Sequence, residues 1–111
     1  MASIIPKLLF IGNTQAGDIY SAPSAIGSYS IVKSINVCNT GTATETFSLN
    51  LVGPGQSLSI ANAILANISL TAQNVFSYET SVVMPSGYSL NISQGNTNLT
   101  FTISGVEYDV V

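Results

Sequence analysis

At 111 residues, 46% of them hydrophobic, the chain is long enough for one domain with its own core and too apolar for a disordered one. Charge is the anomaly: two lysines, no arginine, no histidine and five acids give 6% charged residues and a net charge of −3, against about 25% charged in an ordinary soluble domain. That balance excludes a phosphate-binding basic patch and any Ser-His-Asp or Cys-His catalytic arrangement, and no run of 18 apolar residues is present to cross a membrane as a helix.

Taken in order, residues 1–6 read as an extended arm, because Pro6 has no N–H for a ladder and biases Ile5 away from helix. The apolar groups Ile4-Ile5 and Leu8 to Ile11 are split by Pro6-Lys7, and no small-residue cleavage site follows, so a secretory signal is not expected. Lys7 to Ile11 reads as a short strand closed by Gly12-Asn13, and Asp18 to Ala22 as a brief one stopped by Pro23. Ser28 to Val52 then carries the clearest pattern. Tyr29, Ile31, Ile35 and Val37 alternate with Ser28, Ser30, Ser34 and Asn36, and Phe47, Leu49 and Leu51 alternate with Thr46, Ser48 and Asn50. Each arm has an apolar and a polar face, and the link Asn39 to Ala43 contains Gly41, which can take the positive φ of a tight reversal, so the stretch is expected to be a β-hairpin. Lys33 interrupts the apolar phase of its first arm, as a strand near a sheet edge or a pair with Glu45 or Glu79 would allow.

Gly53-Pro54-Gly55-Gln56-Ser57 is a strong loop signal. Beyond it helical and strand periods compete, and the reading is a short helical turn around Ile60 to Leu65 followed by a strand over Ala66 to Leu70. Phe76, Tyr78, Val82 and Met84 mark a long strand ended by Pro85-Ser86-Gly87; Tyr88, Leu90 and Ile92 mark the next, with a hairpin turn expected at Gln94-Gly95-Asn96. Leu99, Phe101 and Ile103 alternate until Gly105, where the apolar phase slips to Val106, Tyr108 and Val110 as at a bulge; residues 107–111 form the tail. The sum is a single all-β domain over residues 1–111, an antiparallel sandwich of about eight strands with one short helical turn, jelly-roll or Ig-like in topology.

Candidate chemistry is sparse, and no catalytic, cofactor-binding or metal-binding residue is assigned. Glu107 and Asp109 share one strand face, which suits a solvated edge better than a calcium ion, since no Asp/Asn/Gly loop accompanies them. Cys38 is alone, without a cationic neighbour in sequence, and reads as a small packed side chain. Gly53-Pro54-Gly55 is followed by no lysine and lacks a backbone donor at Pro54, so it is not a phosphate loop. Sequons stand at Asn67, Asn91 and Asn98 in a chain rich in Asn, Ser and Thr. Tyr20, Tyr29 or Tyr88 could serve a glycan-binding platform, or simply pack. The near-absence of charge fits two situations, permanent packing in an assembly or the neutral Ser/Thr surface of an extracellular β domain. On the first, the uncharged polar phase of Ser28 to Val52 is a candidate packing surface.

The run Val32-Lys33-Ser34-Ile35-Asn36-Val37-Cys38-Asn39-Thr40, the alternating Thr/Phe/Leu strand after it, and Ala61-Asn62-Ala63-Ile64-Leu65 before a turn and a further strand resemble the small β-sandwich virion structural proteins of tailed bacteriophages. The resemblance covers residues 6–106. It implies a capsid cement or decoration subunit, or alternatively a tail or baseplate component, in the virion after assembly in the host cytoplasm. It further implies other virion proteins as partners, the major capsid protein first, with a homo-oligomer such as a trimer, and no enzyme activity, cofactor, nucleic acid or membrane. A receptor- or glycan-binding module is the rival from another class.

Overall fold

A computed structural model describes residues 3–13, 17–94 and 98–110. Eight strands account for most of them: β1 Ser3–Asn13, β2 Gly17–Ser21, β3 Tyr29–Asn39, β4 Glu45–Val52, β5 Ala63–Leu70, β6 Val75–Pro85, β7 Ser89–Gln94 and β8 Leu99–Asp109, with one 3-10 turn at Ile60–Asn62. Pairing is nested and antiparallel: β1 with β8, β2 with β7, β3 with β6, β4 with β5. The chain is thus one long ribbon folded back at the β4–β5 end and then rolled, which adds the pairs β3–β8 and β4–β7. Rolling produces two four-stranded sheets, β1-β8-β3-β6 and β2-β7-β4-β5. Of the two sandwich topologies the sequence left open, this nested order is the jelly roll.

The order overturns the expected hairpin. β3 and β4 are consecutive but lie in different sheets, so residues 40–44 cross from one layer to the other instead of reversing between paired strands. Gly41 has no positive φ; a Cβ there would sit 2.8 Å from the Asn98 Nδ2, so the position needs a small residue because another side chain packs on it. Asn39, fully buried, builds the crossing: its Nδ2 donates to the Ala43 carbonyl at 2.8 Å and the Leu70 carbonyl at 2.9 Å, and its Oδ1 accepts from the Gly41 N–H at 2.9 Å. β7 and β8 also lie in different sheets, so the turn expected at Gln94-Gly95-Asn96 does not close a hairpin; residues 95–97 lie outside the described ones.

The core fills the space between the layers. Val32, Ile35, Val37, Leu99, Phe101 and Ile103 descend from one sheet onto Phe47, Leu49, Leu90 and Ile92 of the other, all fully buried. Phe47 is at its centre, edge-on to Phe76 and Phe101 at centroid distances of 5.7 and 5.5 Å.

Two irregularities set which side chains face out. At Gly105 the expected slip is real as a packing event but lies on the neighbours. β8 keeps its alternation, while β3 carries Lys33 and β1 carries Leu9 as extra residues. A Cβ on Gly105 would meet the Ile31 carbonyl oxygen at 2.0 Å, so only glycine lets β3 come this close. The bulge reverses the phase of β3. Ser30 and Val32 face inward before it and Ile35 and Val37 after it, leaving Tyr29 and Ile31 on the outer face, opposite to the expected phase. Lys33 is exposed on an internal strand, not at an edge, and its Nζ donates to Ser81 Oγ at 2.7 Å.

On β4 the polar phase is not the surface. Ser48 and Asn50 are buried: Asn50 Nδ2 donates to the Ser59 carbonyl and to Asn62 Oδ1, and Ser48 Oγ accepts the Asn67 N–H at 2.9 Å. The helical turn expected over 60–65 is confined to Ile60–Asn62 because β5 starts at Ala63, where the β4 ladder supplies its hydrogen bonds. The arm and tail of the chain meet one another: Ser3 lies opposite Asp109, Ile5 opposite Glu107 and Pro6 opposite Val106.

Candidate interaction surface

Residues opposite one another on antiparallel strands point to the same face. On the outer face of β1-β8-β3-β6, Pro6, Val106, Ile31 and Val83 are successive partners across all four strands, and Tyr108, Tyr29 and Pro85 form the next row. The tyrosine rings stack at 4.9 Å with planes 22° apart. Val83 is 55% exposed, and Leu8, beside the first row, 51%. Further along the same face the rows become polar on β8, β3 and β6, with Ser104, Ser34 and Glu79, then Thr102, Asn36 and Ser77, while β1 contributes the exposed Leu8 and Ile11; Ser77 Oγ donates to Asn36 Oδ1 at 2.7 Å. One end of this face is therefore an aliphatic and aromatic field open to solvent, bordered by the exposed Lys33 on Ser81, of the kind that marks contact with another protein. Sequence reasoning missed it because the bulge at Lys33, not composition, turns Tyr29 and Ile31 outward.

A polar clasp joins the sheets at the same end. Glu107, on the inner phase of β8, accepts hydrogen bonds from the Tyr20 hydroxyl of β2 and from Lys7 Nζ of β1, the latter at 3.1 Å, and the Tyr20 hydroxyl shares a 2.7 Å hydrogen bond with Ser30 Oγ of β3. Donation by Tyr20 holds the Glu107 carboxyl below the usual range against the opposing effect of burial, and Lys7 adds to the lowering. Burial, then the bond to the anionic Glu107, pushes Tyr20 up to about 12. Asp109, on the same face as expected, accepts from Ser28 Oγ at 3.3 Å. The two acids are thus fitted into the β-sheet framework, and among the described residues no group of three potential metal ligands is gathered.

The remaining residues singled out from sequence are dispersed. Tyr88 borders a cleft of about 630 Å³ shared with Leu51, Gln56, Ser57, Asn62 and Ile64, away from Tyr20 and Tyr29, so the three tyrosines build no common platform. The Gly53 to Gln56 loop closes on itself, with the Gly53 N–H donating to Gln56 Oε1 at 2.9 Å. Cys38 lies partly buried in β3 opposite Thr100 and Val75. Of the sequons, Asn91 is buried, while Asn67 is exposed with φ of 53° at the irregular part of β5.

No protein-family description matches the chain, and no curated protein matches it in sequence. Among solved structures it superposes on a chain in the structure of infectious bursal disease virus, Gx strain, with a TM-score of 0.50 and 18% identity, over 97% of this chain and 31% of that one. The structure of the Gt strain of the same virus gives a TM-score of 0.50 and 17% identity over 96% and 32%. The chain thus spans about a third of the length of the chains it superposes on. At these identities the likeness is one of fold.

Proposed function

We propose that this chain is a non-enzymatic structural subunit of a virus particle, specifically a cement or decoration protein on the head of a tailed phage, packed against the major capsid protein. The observation that carries the reading is the outer face of β1-β8-β3-β6, where Pro6, Leu8, Ile31, Val83, Val106 and the Tyr29–Tyr108 stack present an apolar field on a chain with 6% charged residues. Charges carried into a permanent interface must be desolvated, and the charge that borders the apolar end of this face is Lys33, whose Nζ is already hydrogen-bonded to Ser81 Oγ. The fold supports the reading without deciding it: jelly rolls recur in viral capsid and lectin domains, and the chains it superposes on come from virus structures.

The mechanism is mass action. A subunit that binds the closed shell and not its loosened form stabilises the shell by its binding free energy. Particles lacking the chain are expected to release their genome at lower temperature than complete ones; identical release curves would remove the cement role. Antibody labelling of intact particles separates the head from the tail or baseplate.

The cleft beside Tyr88 favours a second reading as a glycan-binding module. Its lining combines one aromatic ring with amide and hydroxyl groups and no charge, the chemistry of a neutral saccharide site. Binding on a glycan array that is lost in Tyr88→Ala would support it, and silence across a broad array would discard it.

A further inference from the structure

We infer that the open edge of β6 over Val75 to Glu79 is self-complementary and pairs with the same stretch of a second copy about a two-fold axis at Ser77. Among the described residues, β1 and β6 are the edges of one sheet and β2 and β5 those of the other. Three of these edges are blunted in ways that discourage pairing. β1 holds Pro6 and a bulge at Leu9, β2 is five residues long and irregular after Asp18, and β5 breaks register twice between Ile68 and Ala63, around the φ of 53° at Asn67. β6 is eleven residues long, and its irregularity at Thr80 and Ser81, opposite Lys33, leaves Val75 to Glu79 as a regular ladder on β3.

The phase of that ladder decides which backbone groups are open. The Asn39 N–H donates to the Asn74 carbonyl at 3.0 Å, which makes 39 and 74 a hydrogen-bonded position next to the pair Cys38–Val75. Hydrogen-bonded and non-hydrogen-bonded positions alternate along an antiparallel ladder. Phe76 and Tyr78 therefore turn their N–H and C=O toward β3, and Val75, Ser77 and Glu79 turn theirs toward the open edge. On the inner phase, Phe76 and Tyr78 stand opposite the buried Val37 and Ile35, their rings stacked at 6.4 Å, and Tyr78 is 37% exposed, so the aromatic flank of the core is open at this edge.

The same stretch of a second copy fits these groups in one register. With Ser77 opposite Ser77, Val75 opposite Glu79 and Glu79 opposite Val75, every open N–H of one copy meets an open C=O of the other. Phe76 then faces Tyr78 of the second copy, and Tyr78 faces Phe76, at the positions where opposed side chains approach most closely and aromatic pairs stabilise a sheet. A shift of one pair in either direction leaves Glu79 or Val75 without a partner. Glu79 is the one charged residue of β6, and the axis sets the two carboxylates at opposite ends of the paired stretch, about 13 Å apart along it and beyond a Debye length at physiological salt. Lys33 lies opposite Thr80 and Ser81, outside the stretch. Directly opposed residues share a face, so the two outer faces lie on one side of the joined sheet and remain available to a virion partner. The stretch is about 17 Å long, which makes this a small contact of the weak, reversible class.

Disulfide trapping with oxidised glutathione tests the register. In a Cys38→Ser background, Ser77→Cys is expected to give a cross-linked dimer, since opposed hydrogen-bonded positions lie about 5.5 Å apart between Cα atoms, within disulfide reach. Glu79→Cys alone should not cross-link, and an equimolar mixture of Val75→Cys and Glu79→Cys chains should. Sedimentation equilibrium up to about 1 mM is expected to show a monomer–dimer equilibrium. Ser77→Pro, which removes an outward N–H and no bond to β3, should weaken it about tenfold or more, and Ser77→Ala, which keeps that N–H, should not. Far-UV circular dichroism and melting check that each variant folds. No Ser77→Cys cross-link, a Glu79→Cys cross-link formed as fast, or equal association of Ser77→Pro and Ser77→Ala would each overturn the inference. Particle binding is measured separately. A chain that stays monomeric while Ser77→Pro weakens its binding to particles assigns the edge to a strand of another virion protein, which defeats the dimer and leaves the structural role standing.

Discussion

Glu107 is where the unbroken alternation of β8 leaves a carboxylate facing inward, and the fold meets it with one phenol and one ammonium. Its lowered pKa means that it contributes stability above the ordinary carboxylate value near 4.5, which is lost as pH falls through the folded value. Tyr20 has the opposite sign: its raised pKa contributes stability that is complete below about 10 and lost as pH rises toward about 12. The melting temperature is therefore expected to be flat through neutral pH and to fall at both ends. Glu107→Gln should cost about 1 kcal/mol at pH 7 in urea unfolding and flatten the acid limb; Tyr20→Phe should shrink the difference between the wild type and Glu107→Gln. An acid limb unchanged in Glu107→Gln would assign the loss to other carboxylates. Gly105 is the second decisive residue. Because a Cβ there meets the Ile31 carbonyl at 2.0 Å, Gly105→Ala should destabilise by about 2 kcal/mol or more, as overpacked sites do, and unfolding as easily as the wild type would contradict the close approach.

Alternation made every one of the strands visible in sequence, with boundaries displaced mainly at β1 and β5. It could not say which strands pair, because a strand whose inner face is apolar looks the same whether its successor lies beside it or across the core. The residue that decides the β3–β4 connection is Asn39, which read as an ordinary link residue, yet its amide ties residues 41 and 43 to the end of β5. Asn39→Ala would leave the Ala43 and Leu70 carbonyls and the Gly41 N–H without this partner in a buried place. A loss of about 2–4 kcal/mol is expected in chemical denaturation, and a loss under about 0.5 kcal/mol would mean that water replaces the amide without penalty. The candidate surface was hidden for a related reason. Tyr29, Ile31, Lys33, Ile35 and Val37 read as one period-two phase, but the extra residue at Lys33 places the first two and the last two on opposite faces. A lysine inside an apolar phase was the available signal, and it marked a bulge in a central strand, not an edge. Asn50 and Ser48 misled in the other direction, polar in sequence and buried against the 57–67 segment in the structure.

At the scale of the whole molecule, a rolled ribbon supplies two sheets whose inner faces are consumed by the core, so what distinguishes this chain is what it leaves outside. One outer face is apolar at one end and carries hydroxyls and amides at the other, on a body whose net charge of −3 gives little repulsion between copies or partners. Such a surface suits a subunit that remains packed. The most direct test is the composition of purified particles, quantified by mass spectrometry against the major capsid protein after density-gradient banding. A structural subunit is expected to band with the particles at a fixed ratio to that protein, resistant to high-salt washing because its contacts are apolar and hydrogen-bonded. A chain that is absent from the band, or that washes away at a ratio varying from one preparation to the next, would contradict the role proposed for it.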